Sequence, residues 1–107
     1  MQARADSVSG CAFCGIAGGM RGAHIFYRTP SFVVFKPATG AAGKLLIAPV
    51  SHYQALNEMP IAVLAEWLTV AHEMQARVGA ASCKMQINVG ARLQNVRHLY
   101  MQFSYAT

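Results

Sequence analysis

The stretch from His98 to Tyr105 alternates polar and apolar side chains with a period of two. This period is typical of a β-strand, because successive side chains of a strand point to opposite faces of the sheet. The apolar face carries Leu99, Met101, Phe103 and Tyr105. The polar face carries His98, Tyr100, Gln102 and Ser104. The pattern predicts a strand with one face on a core, whose other face either meets solvent or receives chemically active residues from upstream.

Four further segments have the composition of short strands and are separated by residues that favour turns. They are residues 24–28, 32–35, 45–48 and 84–88. One long helix is predicted from near Pro60 to about Val78. Its polar stripe is Glu66, Thr69, Glu73 and Arg77, of which the last two are spaced to form an ion pair. Five strands, mostly joined by short links, and one long helix predict an α+β domain with a mainly antiparallel sheet.

The composition is poor in charge for a chain of this length. Charged residues make up 12% of the 107 residues, and 54% are hydrophobic, whereas a typical soluble domain is about 25% charged. A surface so short of charge suggests that a partner covers part of it. The net charge of +5 permits contact with phosphates, although the basic residues form no run. The longest apolar stretch is interrupted by Glu66, which argues against a membrane span.

The chain has three cysteines, of which Cys11 and Cys14 form a Cys-x-x-Cys pair and Cys83 stands alone. An odd cysteine count without a secretory signal predicts a reducing, intracellular compartment, either the cytoplasm or the mitochondrion. We expect residues 1–10 to form a tail and residues 11–107 to form the domain.

The spacing of Cys11 and Cys14 allows one knuckle-like turn to offer two thiolates to a tetrahedral zinc ion. A redox pair or two packed thiols explain the same spacing, and the spacing alone leaves all three interpretations open. The histidines that could complete a zinc site are His24, His52, His72 and His98. His52 and His98 are the best placed, because both lie close to predicted strands. A closed site with two cysteines and two histidines would stabilise the fold and leave no open position for a substrate.

Taken together, the segments resemble the histidine triad family of nucleotide hydrolases and transferases. The segments that carry the resemblance are the Cys-x-x-Cys pair, residues 43–52, the long helix, residues 87–90 and residues 94–102. The resemblance implies an α+β domain with a five-stranded sheet, one long helix and a short N-terminal zinc knuckle. It also implies that a structural zinc ion is held by Cys11, Cys14, His52 and His98.

The resemblance implies that the catalytic set of this chain is degenerate. The family motif has three alternating histidines, of which the middle one attacks the α-phosphate, whereas this chain has His98, Tyr100 and Gln102. A phenol is almost wholly protonated at neutral pH and needs an activating base to act as a nucleophile. Lys36 and its neighbours stand where a carboxylate would grip the ribose. The remaining pocket residues are Asn88, Gln94 and Asn95.

These features predict a structural or interaction subunit that has lost catalysis. Members of the family usually pair through the long helix and an edge strand, so the expected partner is a second copy of the chain. An accessory place in a larger complex, such as a mitochondrial one, would also explain the sparse surface charge. Two other functions stay open: a nucleotide hydrolase or transferase that uses Tyr100, and a nucleotide- or RNA-binding module without catalysis.

Overall fold

A computed structural model describes residues 11–19, 24–90, 92–94 and 96–106. The expected tail, residues 1–10, lies outside the described residues. The helices are α1 (Ala12–Ala17) and α2 (Ile61–Val78), with a 3-10 turn over Leu56–Glu58 between β3 and α2. The strands are β1 (Ile25–Arg28), β2 (Phe32–Phe35), β3 (Lys44–Pro49), β4 (Ser82–Ile87) and β5 (Met101–Ala106).

The five strands form a single sheet in the order β1-β2-β3-β5-β4, and every neighbouring pair is antiparallel. The predicted α+β class and antiparallel sheet are therefore confirmed. Because β5 lies between β3 and β4, it is an inner strand of the sheet, and β4 lies at the edge.

Helix α2 packs on one face of this sheet and builds the main core. Trp67 is 1% exposed and lies beside Phe32, and its Nε1 donates a hydrogen bond of 3.1 Å to the backbone oxygen of Ile47 in β3. The helix ends at Gly79, which has a φ of 67°, a left-handed conformation that suits glycine. On the exposed side of the helix, the predicted pair forms, with Arg77 Nε 3.0 Å from Glu73 Oε2.

A smaller core lies on the opposite face of the sheet, beneath α1. It contains Phe13, Ala17, Val33, Phe35, Ala48 and Tyr100. Gly43, just before β3, lets the chain approach β5 closely: its φ is 73°, and an added Cβ would lie 2.8 Å from the backbone oxygen of Tyr105. A side chain at this position would therefore force the two strands apart.

The predicted division of faces in the last strand agrees with the structure, but the predicted start of the strand is wrong. Leu99, Met101 and Phe103 lie in the core under α2, while Tyr100 lies in the smaller core on the other face. The strand begins at Met101, three residues after His98. Before Met101 the chain is hydrogen-bonded to the segment that follows β3: the backbone N–H of Leu99 donates to the backbone oxygen of Tyr53 at 2.8 Å.

Within the described part of the chain, no helix combines the length and the apolar character that crossing a membrane requires.

Candidate metal centre

Four potential metal ligands converge where α1 meets the ends of the central strands. The ligand atoms of Cys11, Cys14, His52 and His98 all lie within 4.8 Å of one another. His98 is completely buried, Cys14 and His52 are buried, and Cys11 is partly exposed. Among the described residues, this group contains the four residues predicted as ligands and excludes His24, His72 and Cys83.

Helix α1 positions both thiols. Cys11 is the N-cap of the helix, and its Sγ accepts a hydrogen bond of 3.4 Å from the backbone N–H of Cys14. One turn of helix separates the two residues, so both sulfur atoms face the same side.

A backbone carbonyl fixes the ring of His98. Its Nε2 lies 2.8 Å from the oxygen of Pro49, the last residue of β3. Because a carbonyl oxygen only accepts, Nε2 carries the proton and the lone pair of Nδ1 points at the two thiols, 3.5 Å from each sulfur. Burial lowers the pKa of His98 to about 4, against a smaller opposing effect of the Pro49 hydrogen bond. The imidazole is therefore neutral at pH 7, as a metal ligand must be.

His52 also presents its Nδ1 to the site. Its Nδ1 lies 3.2 Å from the Cys14 Sγ, and its ring meets that of His98 edge-on at 5.0 Å. Burial lowers the pKa of His52, and the charge of Glu58 partly offsets this effect. Among the described residues, its Nε2 is buried without a hydrogen-bond partner, which costs about 1–3 kcal/mol. A metal bond at Nδ1 is strong enough to offset that cost.

The distances fit a tetrahedral metal ion. Zinc binds sulfur at about 2.3 Å and imidazole nitrogen at about 2.0–2.1 Å, so a tetrahedral angle separates the two ligand atoms by about 3.5 Å. Three of the four sulfur–nitrogen distances are 3.2, 3.5 and 3.5 Å, and the fourth, between Cys11 and His52, is within 4.8 Å. Two thiols and two neutral imidazoles form a possible metal-binding group, and sulfur and nitrogen donors are the set that zinc prefers. With four protein ligands the group would be closed to substrate.

The other two positions of the predicted triad lie beside this cluster without joining it. Tyr100 is 7% exposed, and its ring packs edge-on against Phe13 at 5.0 Å. Gln102 is half-buried in β5.

The residues predicted to remain from a nucleotide pocket are placed as follows. Gln94 is buried, and its side chain holds the preceding loop: Oε1 accepts from the backbone N–H of Gly90 at 2.8 Å, and Nε2 donates to the oxygen of Val96 at 3.0 Å. Asn88 is half-buried and accepts from Gln86 at 3.1 Å. Asn95 lies outside the described residues. The assignment of these three residues to a pocket stays a prediction.

A cavity of about 840 Å³ opens next to the cluster. Helix α1 forms one wall with Ala12, Phe13 and Ile16, and the sheet forms another with Phe35 and Leu46. Lys36 lines its edge. Sequence reasoning noticed Lys36 as a substitution but missed the roles of Phe13 and Pro49. The strand-ending proline was visible in the sequence, whereas its contact with His98 depends on the pairing of distant strands.

Fold and cluster together define a small α+β domain with an antiparallel five-stranded sheet and a potential metal staple at its N-terminal helix. Similar solved structures come from the histidine triad proteins. A histidine triad protein from Clostridium difficile superposes with a TM-score of 0.86 over 94% of this chain and 94% of its own, at 21% identity. A HIT family hydrolase from Clostridium thermocellum gives a TM-score of 0.85 at 22% identity, again over 94% of both chains.

A HIT family hydrolase from Legionella pneumophila gives a TM-score of 0.82 at 24% identity, over 91% of this chain and 93% of its own. No family model and no curated protein sequence matches this chain. The chain therefore has the histidine triad fold, and the resemblance inferred from the sequence segments is confirmed at the level of fold.

Proposed function

We propose that this chain is a zinc-stabilised, catalytically degenerate histidine-triad-like domain that acts as a structural or interaction subunit in a reducing compartment, either the cytoplasm or the mitochondrion. One contrast carries the proposal. The four-ligand cluster is complete and closely spaced, whereas the position of the family's nucleophile holds a phenol that packs against Phe13. The chain has the four residues that metal binding needs, but it lacks the histidine nucleophile that phosphoryl transfer needs.

The surroundings of Tyr100 argue against its use as a nucleophile. A tyrosine hydroxyl attacks phosphorus only when a base removes its proton, and the Tyr100 ring packs edge-on against the apolar ring of Phe13. Gln102, two residues further along, is an amide and cannot take a proton at neutral pH. Loss of a covalent nucleophile commonly lowers the rate by a factor of about a thousand or more.

The purified, zinc-loaded protein is expected to release no AMP from an adenosine phosphoramidate above a heat-inactivated control. The matched variant is Tyr100→Phe, which removes only the hydroxyl. Equal background from wild type and variant supports the proposal. Turnover that this substitution abolishes contradicts it and assigns the chain to the nucleotide hydrolases or transferases.

The surface supports a second copy of the chain as partner. Strand β4 lies at the sheet edge and is exposed from Ser82 to Gln86. Met85, which pairs with Phe103 and so shares the face on which α2 packs, is 50% exposed. On α2, Ile61, Leu64 and Leu68 form one stripe at helical spacing, and Leu64 lines an apolar groove with Val89 just after β4. An open strand edge beside apolar side chains favours pairing with a like surface.

We therefore expect the wild-type protein to run as a dimer at micromolar concentration in size-exclusion chromatography with light scattering. Leu68 is 58% exposed, so Leu68→Glu should yield a folded monomer by placing a charge in the apolar interface. Thr69→Glu is the matched control, because it adds the same charge to the polar stripe of the helix and should leave the dimer intact. A wild-type monomer at every concentration would exclude the homodimer and favour an accessory place in a larger complex.

The cavity beside α1 supports a second candidate function, a nucleotide- or RNA-binding module. Its walls are mainly apolar and aromatic, and Lys36 and His24 at its lining provide cationic or hydrogen-bonding groups. Such a combination suits a planar base attached to an anionic group.

A further inference from the structure

The four ligands of the cluster differ in how far solvent can reach them. His98 is completely buried, and Cys14 and His52 are only 5% and 6% exposed. Cys11 is partly exposed, because it lies at the N-cap of α1 and packs at the margin of the smaller core. A small oxidant that arrives from solvent therefore reaches the Cys11 sulfur first.

The second sulfur lies close to the first. The Sγ atoms of Cys11 and Cys14 are within 4.8 Å of each other, so they must approach by less than about 3 Å to reach the disulfide bond length of about 2.05 Å. The backbone N–H of Cys14 already donates to the Cys11 Sγ at 3.4 Å. An accessible thiol beside a second, resolving thiol is the arrangement of redox-sensitive cysteine pairs. The zinc and redox interpretations of the Cys-x-x-Cys spacing are therefore compatible in one pair.

Helix α1 depends on the cluster for its position on the sheet. The helix has six residues, and a helix of that length is not stable in water without tertiary contacts. Besides the cluster, α1 is held by the edge-on packing of Phe13 against Phe35. It is also held by a hydrogen bond of 3.0 Å from Arg28 Nη1 to the backbone oxygen of Ala17. Loss of the metal should therefore loosen α1 from the sheet.

We propose that Cys11 and Cys14 form a site of oxidation by hydroperoxides, at which formation of a disulfide releases the zinc ion and loosens α1. The inference rests on the zinc-stabilised domain proposed above and concerns the regulation of that metal site. In a metal-bound cysteine the sulfur is deprotonated, and the deprotonated form is the nucleophile.

The reaction proceeds in two displacements. The Cys11 sulfur attacks one oxygen of the hydroperoxide, the O–O bond breaks, and the departing oxygen takes a proton and leaves as water or an alcohol. The Cys14 sulfur then attacks the sulfur of the resulting Cys11 sulfenic acid, the S–O bond breaks, and the departing hydroxide takes a proton and leaves as water. Two electrons pass from the two sulfurs to the hydroperoxide. The cluster then has no thiolate left to hold the metal.

The test treats the zinc-loaded wild-type protein with hydrogen peroxide. Zinc release is followed with a colorimetric indicator, and the thiols are mapped by alkylation and peptide mass spectrometry. We expect zinc release in step with formation of a disulfide between Cys11 and Cys14, and recovery of the site after dithiothreitol and zinc are added. Cys83, an exposed free cysteine, is the reference within the same molecule. The pair should be oxidised no later than Cys83, because its sulfurs are already deprotonated by the metal.

Two variants locate the reaction. Cys11→His keeps a zinc-binding side chain at the exposed position but removes the accessible sulfur, so peroxide should release its zinc at least about tenfold more slowly. Cys83→Ser is the control and should release zinc at the wild-type rate. The inference is overturned if zinc stays bound while Cys83 is fully oxidised, if zinc leaves without the disulfide, or if Cys11→His releases zinc as fast as wild type. Mapping of the wild-type thiols decides the matter even if Cys11→His does not load zinc.

The loosening of α1 is measured as a fall in melting temperature. Oxidation should lower it by about 10 °C or more, because the metal is lost and a disulfide that closes so short a loop restrains the chain little. An unchanged melting temperature after complete zinc release contradicts the loosening.

Zinc content is measured before peroxide is added. A protein that contains zinc and keeps it in peroxide contradicts only this inference. A protein that is purified in a reducing buffer with zinc and still contains none contradicts the proposed function, and this inference with it.

Discussion

Substitution of Cys14 by serine is expected to abolish stoichiometric zinc binding and to lower the melting temperature by about 20 °C or more. Structural zinc contributes an apparent free energy of about 10–16 kcal/mol in small metal-bound peptides, which equals or exceeds the total stability of a typical domain, about 5–15 kcal/mol. Cys14 is buried, and its sulfur lies within 3.5 Å of the Nδ1 atoms of His52 and His98. Each kcal/mol lost lowers the melting temperature of a domain of this size by about 4–8 °C.

Cys83→Ser provides the matched control. Cys83 is an exposed free cysteine in the edge strand β4, so its replacement should change neither metal content nor melting temperature. Elemental analysis of the purified proteins should give about one zinc per chain for wild type and Cys83→Ser. A strong chelator should lower the melting temperature of both. A wild-type protein that is free of metal and indifferent to chelator would contradict the zinc staple.

Local spacing predicts only half of this cluster. The Cys-x-x-Cys pair is one helical turn long, so its two thiols are near each other in any fold that keeps the turn. His52 and His98 lie 38 and 84 residues from Cys14, and no periodicity connects such distances. They meet because the segment that contains His52 and Tyr53 is bonded to the segment before β5, through the Leu99 N–H and the Tyr53 oxygen. The sequence therefore left zinc, redox and packing open until the family resemblance was considered.

The misplaced start of β5 has a related cause. A period of two reports an extended backbone, and extended residues alternate whether or not they pair within a sheet. His98 to Tyr100 keep the alternation of faces without pairing in the sheet, so the faces were predicted correctly. These residues pack against the loop after β3 instead of pairing with a strand, and the sequence contains no signal for that difference.

The proximity of Lys44 and Lys84 on either side of Ser104 was likewise not predicted from the sequence. Lys44 and Lys84 are 40 positions apart in the sequence, and nothing in the composition connects them. They come together only because β5 is inserted between β3 and β4, and because both lysines are in register with Ser104. A sheet order that departs from chain order is a global property, whereas motifs and charge runs are local.

The other large effect is expected in the main core, where Trp67→Ala should lower the free energy of unfolding by about 3–5 kcal/mol. The indole is 1% exposed and packs beside Phe32, so its removal leaves a cavity between α2 and the sheet. It also removes the donor to the backbone oxygen of Ile47. Because the same strand ends at Pro49, whose oxygen fixes the His98 ring, loosening β3 should also weaken zinc binding.

Urea unfolding separates the contributions of the indole. Trp67→Phe keeps most of the apolar volume but loses the hydrogen bond, so it should cost less than Trp67→Ala and retain zinc. His72→Ala on the exposed side of the same helix is the control and should change stability by less than about 0.5 kcal/mol. Equal unfolding free energies for Trp67→Ala and His72→Ala would show that α2 is not held to the sheet through Trp67, and the metal cluster would then owe its geometry to α1 and the strand ends alone.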